Sequence, residues 1–144
     1  MNNDQAPSSI QKVKVKRSDS ETTSSDSVVV EEPLEIRVKK GSSEQQLGIT
    51  MRTPGADLQL AAGFLWGEGF LTDPKQLITV KVCGDRNLTP RQRANVVIAE
   101  VREDAPEFSR QMDRRFTMNS ACGVCGAENI SDLKKRGIQK VFPT

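Results

Sequence analysis

The apolar residues between positions 28 and 101 follow a strand pattern in four places and a helical pattern in one, and this order limits the fold. Leu34, Ile36 and Val38 alternate with charged residues, which predicts a half-buried strand. Further strands are predicted over residues 46–51, 77–82 and 94–101. Residues 58–67 have apolar positions at helical spacing and predict a short buried helix. Strands and helices combined in one chain predict an α/β domain.

The loop over residues 52–57 joins the second strand to this helix. Pro54 and Gly55 form a turn signal, and Asp57 is predicted to be the N-cap of the helix because its carboxylate can accept from the first free N–H groups. Residues 84–93 are polar and contain Pro90, so they are interpreted as a connector.

The two ends of the chain differ in composition from its middle. Residues 1–27 are rich in Ser, Thr, Asp and Lys, and such a segment buries too little apolar surface to order itself. We therefore expect a disordered tail over residues 1–27 and a folded domain over residues 28–144. Residues 138–144 end in the middle of an apolar pattern, so we expect the C-terminal half of a larger domain to be missing.

Composition excludes several classes of function. The net charge of +2 is spread over interspersed charges, Tyr is absent and aromatics are 4% of the chain, so a nucleic-acid partner is not expected. No apolar run approaches the roughly 20 residues that span a bilayer, so no membrane partner is expected. His is absent, which removes the commonest general base and the commonest metal ligand.

The three cysteines are the remaining reactive groups, and the chain has no secretory signal in front of them. Both observations point to a reducing, cytoplasmic location. Cys122 and Cys125 are three positions apart and flanked by glycines, which is the spacing of a reactive dithiol near a helix N-terminus. Without His, a thiolate can be stabilised there by the helix dipole or by nearby arginines, for which we consider Arg52, Arg114 and Arg115.

The residues alone leave three interpretations of this pair open. A dithiol redox motif is the leading one. A zinc site would need a fourth ligand, because only Cys83 remains to join Cys122 and Cys125. Two ordinary buried cysteines are disfavoured by the flanking glycines. Cys83 itself follows a predicted strand and is interpreted as a small core residue with no further role.

Five stretches together resemble the FdhD family of sulfur carrier proteins. They are EPLEIRV at residues 32–38, MRTPGAD at 51–57, LAAGFLWGEG at 60–69, RFT at 115–117 and SACGVCG at 120–126. The resemblance covers roughly residues 30–131 and implies a fold like that of cytidine deaminases, a three-layer α/β sandwich that is incomplete in this chain.

The resemblance also implies a function. Members of this family accept persulfide sulfur from a cysteine desulfurase and pass it to the molybdenum (or tungsten) bis-guanine-dinucleotide cofactor that formate dehydrogenase needs. The position that matches the persulfide carrier is Cys122, and Cys125 matches an auxiliary cysteine. Relatives of this kind suggest a homodimer. The alternatives are a non-catalytic truncated fragment and a thiol-disulfide redox protein that uses Cys122 with Cys125.

Arg52 is the loop residue that we link to the cofactor. Its guanidinium could pair with a phosphate or with the anionic metal–sulfur centre. The competing interpretation is an arginine that braces the turn.

Overall fold

The computed structural model describes residues 6–19 and 21–107 of the chain. Within them lie six strands, two α-helices and one 3₁₀ turn. The strands are β1 (Ile10–Lys16), β2 (Thr23–Val29), β3 (Glu32–Lys40), β4 (Ser43–Arg52), β5 (Leu77–Val82) and β6 (Val96–Val101). The helices are α1 (Asp57–Gly67) and α2 (Pro90–Ala94), and the 3₁₀ turn covers Pro74–Gln76.

Four of the strands form one mixed sheet in the order β4-β3-β6-β5. β3 and β4 are an antiparallel hairpin whose turn begins at Gly41, which has a φ of +57° that favours glycine. β6 lies parallel to β3, and β5 closes the other edge antiparallel to β6. The chain therefore crosses from the β4 edge of the sheet to the β5 edge, and α1 lies in this crossover.

One face of the sheet is covered by α1 and forms the main core. Alternate residues of β3 and β6 point to this face, as the period of two in a strand requires. The buried residues of this core are Leu34, Ile36, Val38, Leu47, Ala61, Leu65, Phe70, Leu71, Val97, Ala99, Val101 and Ala105. Phe64 packs against them and stacks on Phe70, with the two ring centroids 6.2 Å apart.

The opposite face carries a smaller apolar cluster. Val96 and Ile98 alternate with the α1-facing residues of β6 and pack with Cys83, and the partly buried Leu88 covers them. The connector between β5 and β6 thus returns over this second face. Cys83 is buried, which confirms its interpretation as a core residue.

The predicted α/β class is confirmed, and the predicted strands and helix are present. β5 has the predicted bounds, whereas some ends of the other elements are shifted. β4 begins three residues before the predicted strand, and β6 begins two residues after its predicted start. The connector over residues 84–93 contains most of α2, although its polar composition predicts no helix there. The side chain of Thr89 accepts from the backbone N–H of Gln92, and the side chain of Gln92 reciprocates at Thr89, so a capping box begins this five-residue helix.

The prediction of a disordered tail over residues 1–27 is wrong for β1 and β2. These strands pair antiparallel from Ile10 opposite Val29 to Lys16 opposite Thr23. The polar composition of these residues predicts disorder. Val13 and Val15, however, alternate with lysines, which is a strand pattern. The boundary of the folded domain at residue 28 stays a prediction.

None of the helices in the described ranges, 6–19 and 21–107, is long and apolar enough to cross a membrane.

Replacing Leu65 by Ala should lower the free energy of unfolding by about 2–5 kcal/mol, because the side chain is fully buried and its removal leaves a cavity under α1. Leu60 on the same helix is 39% exposed. The matched Leu60→Ala variant should therefore lose less than about 1 kcal/mol. Urea unfolding measures both values, and equal losses would contradict the packing of α1 described above.

Candidate functional site

Cys122 and Cys125 lie outside the described residues, so their surroundings are not part of the structure described here. Their roles, persulfide carrier and auxiliary cysteine, stay predictions. Arg52, the third predicted site residue, is described and lies at the end of β4.

The side chain of Arg52 is buried and binds residues from three other segments. Its Nε and Nη2 donate to the two carboxylate oxygens of Asp57 over 2.8 and 3.1 Å, a bidentate geometry. Nη2 also donates to Oδ1 of Asn95 over 2.9 Å and to the backbone oxygen of Ala94 over 3.2 Å. Nη1 donates to the backbone oxygen of Glu32 over 3.3 Å. Arg52 therefore ties the start of β3 and the residues before β6 to the start of α1.

Asp57 is the first residue of α1, and its predicted role as N-cap is wrong. The N-cap is Ala56, which makes no side-chain capping bond. The carboxylate of Asp57 is engaged by Arg52 instead. Its negative charge in the first turn still interacts favourably with the helix dipole.

Glu32 and Asn95 extend this arrangement into a buried network. Nδ2 of Asn95 donates to Oε2 of Glu32 over 2.6 Å, while Oδ1 of Asn95 accepts from Arg52. The guanidinium of Arg91 forms an ion pair with Glu32. These contacts fix the orientation of the Asn95 amide, because its oxygen meets only a donor and its nitrogen only an acceptor.

The network is electrically balanced. Arg52 and Arg91 supply two positive charges, and Asp57 and Glu32 supply two negative charges. A second anion bound at Arg52 would have to compete with the carboxylate of Asp57 for the same donors. The observed contacts give Arg52 a role in bracing the turn, and its predicted contact with a cofactor stays a prediction.

A second ionic cluster lies on β3 and β4. The guanidinium of Arg37 donates to Glu35 over 2.7 Å and to Glu44 over 3.2 Å. Burial, the largest single influence, lowers the pKa of Arg37. Hydrogen bonds to Glu35 and Glu44 and the charges of both carboxylates together raise this pKa above its ordinary value. Arg37 is therefore charged at every physiological pH, and its ion pair with Glu44 joins β3 to β4 within the hairpin.

The part of the chain that the structure describes contains no group of three or more His, Cys, Asp or Glu side chains that could hold a metal ion. It also contains no buried side-chain nitrogen or oxygen without a hydrogen-bond partner. The buried polar side chains of the described residues are therefore all paired, and Cys83 is the one thiol among these residues.

Sequence reasoning missed Glu32, Arg91 and Asn95. The three residues lie at the start of β3, in α2 and just before β6, and the contact between Glu32 and Asn95 spans 63 positions of sequence. A single sequence contains no signal for such a contact. The one local signal is the capping box in Thr89-Pro90-Arg91-Gln92, which predicts the start of a helix and places Arg91 on it.

The fold of the described residues has a solved counterpart. A crystal structure of a proposed formate dehydrogenase accessory protein from Desulfotalea psychrophila matches with a TM-score of 0.51 and 18% identity, over 76% of this chain and 40% of that chain. At this identity the likeness is one of fold, and it assigns the chain to mixed α/β proteins of this architecture. The profile of the FdhD/NarQ family matches residues 29–143, and the chain belongs to this family.

Relatives in several bacteria carry the name sulfur carrier protein FdhD. The protein of Anaeromyxobacter dehalogenans strain 2CP-1 is 40% identical over 116 residues, which are 77% of this chain and 38% of that protein. The protein of Mycobacterium tuberculosis is 34% identical over 116 residues, 78% of this chain and 41% of the relative. The protein of Corynebacterium efficiens is 38% identical over 130 residues, 84% of this chain and 45% of the relative. The chain thus spans less than half the length of these relatives.

Replacing Arg52 by Ala should lower the free energy of unfolding by about 3–5 kcal/mol, because it leaves the partly buried carboxylate of Asp57 and the buried amide of Asn95 without their shared donor. The control is Arg102→Ala. Arg102 pairs with Asp104 at the surface, where its side chain is 59% exposed, and its loss should change stability by less than about 0.5 kcal/mol. Chemical unfolding measures both, and a loss below about 1 kcal/mol for Arg52→Ala would contradict a bracing role.

Proposed function

We propose that this protein is a sulfur carrier that accepts persulfide sulfur from a cysteine desulfurase. It passes this sulfur to the molybdenum (or tungsten) bis-guanine-dinucleotide cofactor destined for formate dehydrogenase. The observation that carries the proposal is the match of the FdhD/NarQ family to residues 29–143, a range that includes Cys122 and Cys125. Relatives named sulfur carrier protein FdhD, 34–40% identical to this chain, support the same function.

In the proposed first step the thiolate of Cys122 attacks the terminal sulfur of the donor persulfide. A bond forms between Sγ of Cys122 and that sulfur, the S–S bond of the donor breaks, and the desulfurase cysteine leaves as a thiolate. One S–S bond replaces another and the outer sulfur keeps its oxidation state, so the exchange needs neither an oxidant nor a reductant. The persulfide on Cys122 can then ligate the metal of the acceptor cofactor.

The chemistry of this step suits a chain without histidine. A preformed thiolate attacks without a general base, provided that nearby positive charge or a helix N-terminus lowers the pKa of the thiol. An ordinary cysteine thiol has a pKa of about 8.5, so a modest stabilisation makes the thiolate abundant at neutral pH. Cys125, three positions further on, is proposed as an auxiliary thiol.

The full chain should gain the mass of one sulfur atom when it is incubated with a cysteine desulfurase and free cysteine. Intact-mass spectrometry measures the gain, and tryptic mapping locates it. The gain should be lost in Cys122→Ala and kept in Cys83→Ala, because the Cys83 side chain is buried and out of reach of a protein donor. Circular dichroism with a melting curve establishes that each variant is folded.

The other outcomes of the same experiment separate the alternatives. A folded chain that gains no sulfur rejects the carrier function and leaves a non-catalytic fragment. A reversible loss of two hydrogens that requires Cys122 and Cys125 indicates a thiol-disulfide redox protein instead. A gain that moves to Cys83 would contradict the burial of that thiol.

A further inference from the structure

The hairpin of β1 and β2 has one face with a distinct composition, which we call the lysine face. The register pairs each lysine of β1 with a hydroxyl residue of β2. The lysine face consists of Lys12 opposite Ser27, Lys14 opposite Ser25 and Lys16 opposite Thr23. Partners directly opposite each other in an antiparallel pair project to the same side of the sheet, so ammonium and hydroxyl groups alternate across this face.

The lysine face carries no acidic residue. Asp26, the one carboxylate within the two strands, is paired with Val13 and lies on the other face. The three lysines are exposed, and among the residues that the structure describes none of their ammonium groups takes part in an ion pair. With respect to the described part of the chain, three positive charges therefore lie without an ion-pair partner on a surface a few residues long.

β1 also has a free edge. It pairs with β2 on one side, and no other strand of the described ranges pairs with it. Its seven residues offer a row of backbone N–H and C=O groups to an incoming strand. Addition of a strand to such an edge is a common mode of peptide recognition.

We propose that the free edge of β1 binds an extended acidic segment of a partner protein, which adds to the hairpin as a third strand. Alternate residues of a strand are about 6.6–6.8 Å apart, both in β1 and in the added segment. Carboxylates at every second position of the partner would therefore each lie beside one lysine of the lysine face. The partner chemistry is thus a segment with Asp or Glu at alternate positions.

This partner fits better than a nucleic acid. The lysine face contains no aromatic side chain on which a base could stack. A nucleic acid would also leave the backbone groups of the β1 edge without partners, whereas a polypeptide strand satisfies them. The proposal rests on the hairpin alone and does not depend on sulfur transfer at Cys122.

Binding of two labelled peptides to the full chain tests the proposal by fluorescence anisotropy. One peptide alternates Glu with Thr, and the other has the same composition with its Glu residues contiguous. The alternating peptide should bind more tightly, and added salt should weaken its binding. The variant with Lys12→Glu, Lys14→Glu and Lys16→Glu should bind it about tenfold more weakly or worse, from the loss of three ion pairs.

The control variant makes the same change of charge elsewhere. Lys75→Glu, Arg86→Glu and Arg102→Glu replace three exposed cations outside the hairpin and should change the affinity by less than about twofold. Amide hydrogen exchange gives a separate readout, because strand addition should slow exchange at residues 10–16 and a purely ionic contact should not.

Three results would overturn the proposal. They are equal affinity for both peptides, unchanged exchange at residues 10–16 in the complex, and tighter binding of a single-stranded oligonucleotide than of the alternating peptide. A fourth result, failure of every peptide to bind, would also reject the proposal.

Discussion

The guanidinium of Arg52 stands where distant segments of the chain meet, and the arrangement of the sheet depends on it. Neighbouring strands β4 and β3 are joined by a short hairpin, but β6 reaches the other side of β3 only after α1, β5 and α2 have intervened. Arg52 binds the side chain of Asp57 at the start of α1 and that of Asn95 just before β6. One planar group with a fixed fork of donors thereby sets the entry of the crossover helix relative to the parallel strand.

A buried ionic hub of this kind specifies geometry more than it adds stability. Desolvating two charges costs several kcal/mol, roughly what their attraction returns, so hydrophobic side chains could fill the same space at similar stability. A hydrophobic cluster, however, would tolerate a shifted turn. Hydrogen bonds are more demanding. Arg52 contacts both carboxylate oxygens of Asp57, and the amide of Asn95 uses both its oxygen and its nitrogen. A shift of the turn would break these hydrogen bonds and leave polar groups of the network without partners. We infer that the network fixes where the loop before α1 lies.

The parts of the fold that could be predicted are those whose signal is local. Alternation identified β3, and the spacing of Ala61 and Leu65 identified α1, since burial of one face imposes those periods. β1 was missed because polar composition outweighed a five-residue alternation, although register with β2 gives each of its residues a partner. The site was less predictable than the fold. The loop motif draws attention to Arg52, whose contact with a cofactor stays a prediction. Its observed partner Asn95 lies 43 positions away, and no local pattern encodes that contact.

The burial of the Cys83 thiol shows why this cysteine does not suit the proposed sulfur transfer. Cys83 is only 6% exposed, and its backbone N–H is bonded to β6, so neither thiol nor backbone can move toward a bulky donor without opening the cluster around Val96 and Ile98. Attack on a persulfide held by another protein needs a thiolate that the donor can approach. Cys83 thus serves in packing, whereas the proposed chemistry uses Cys122 and Cys125, which have glycines beside them in the sequence. Sulfur transfer would then be selective through access of the donor to the thiol rather than through the number of thiols.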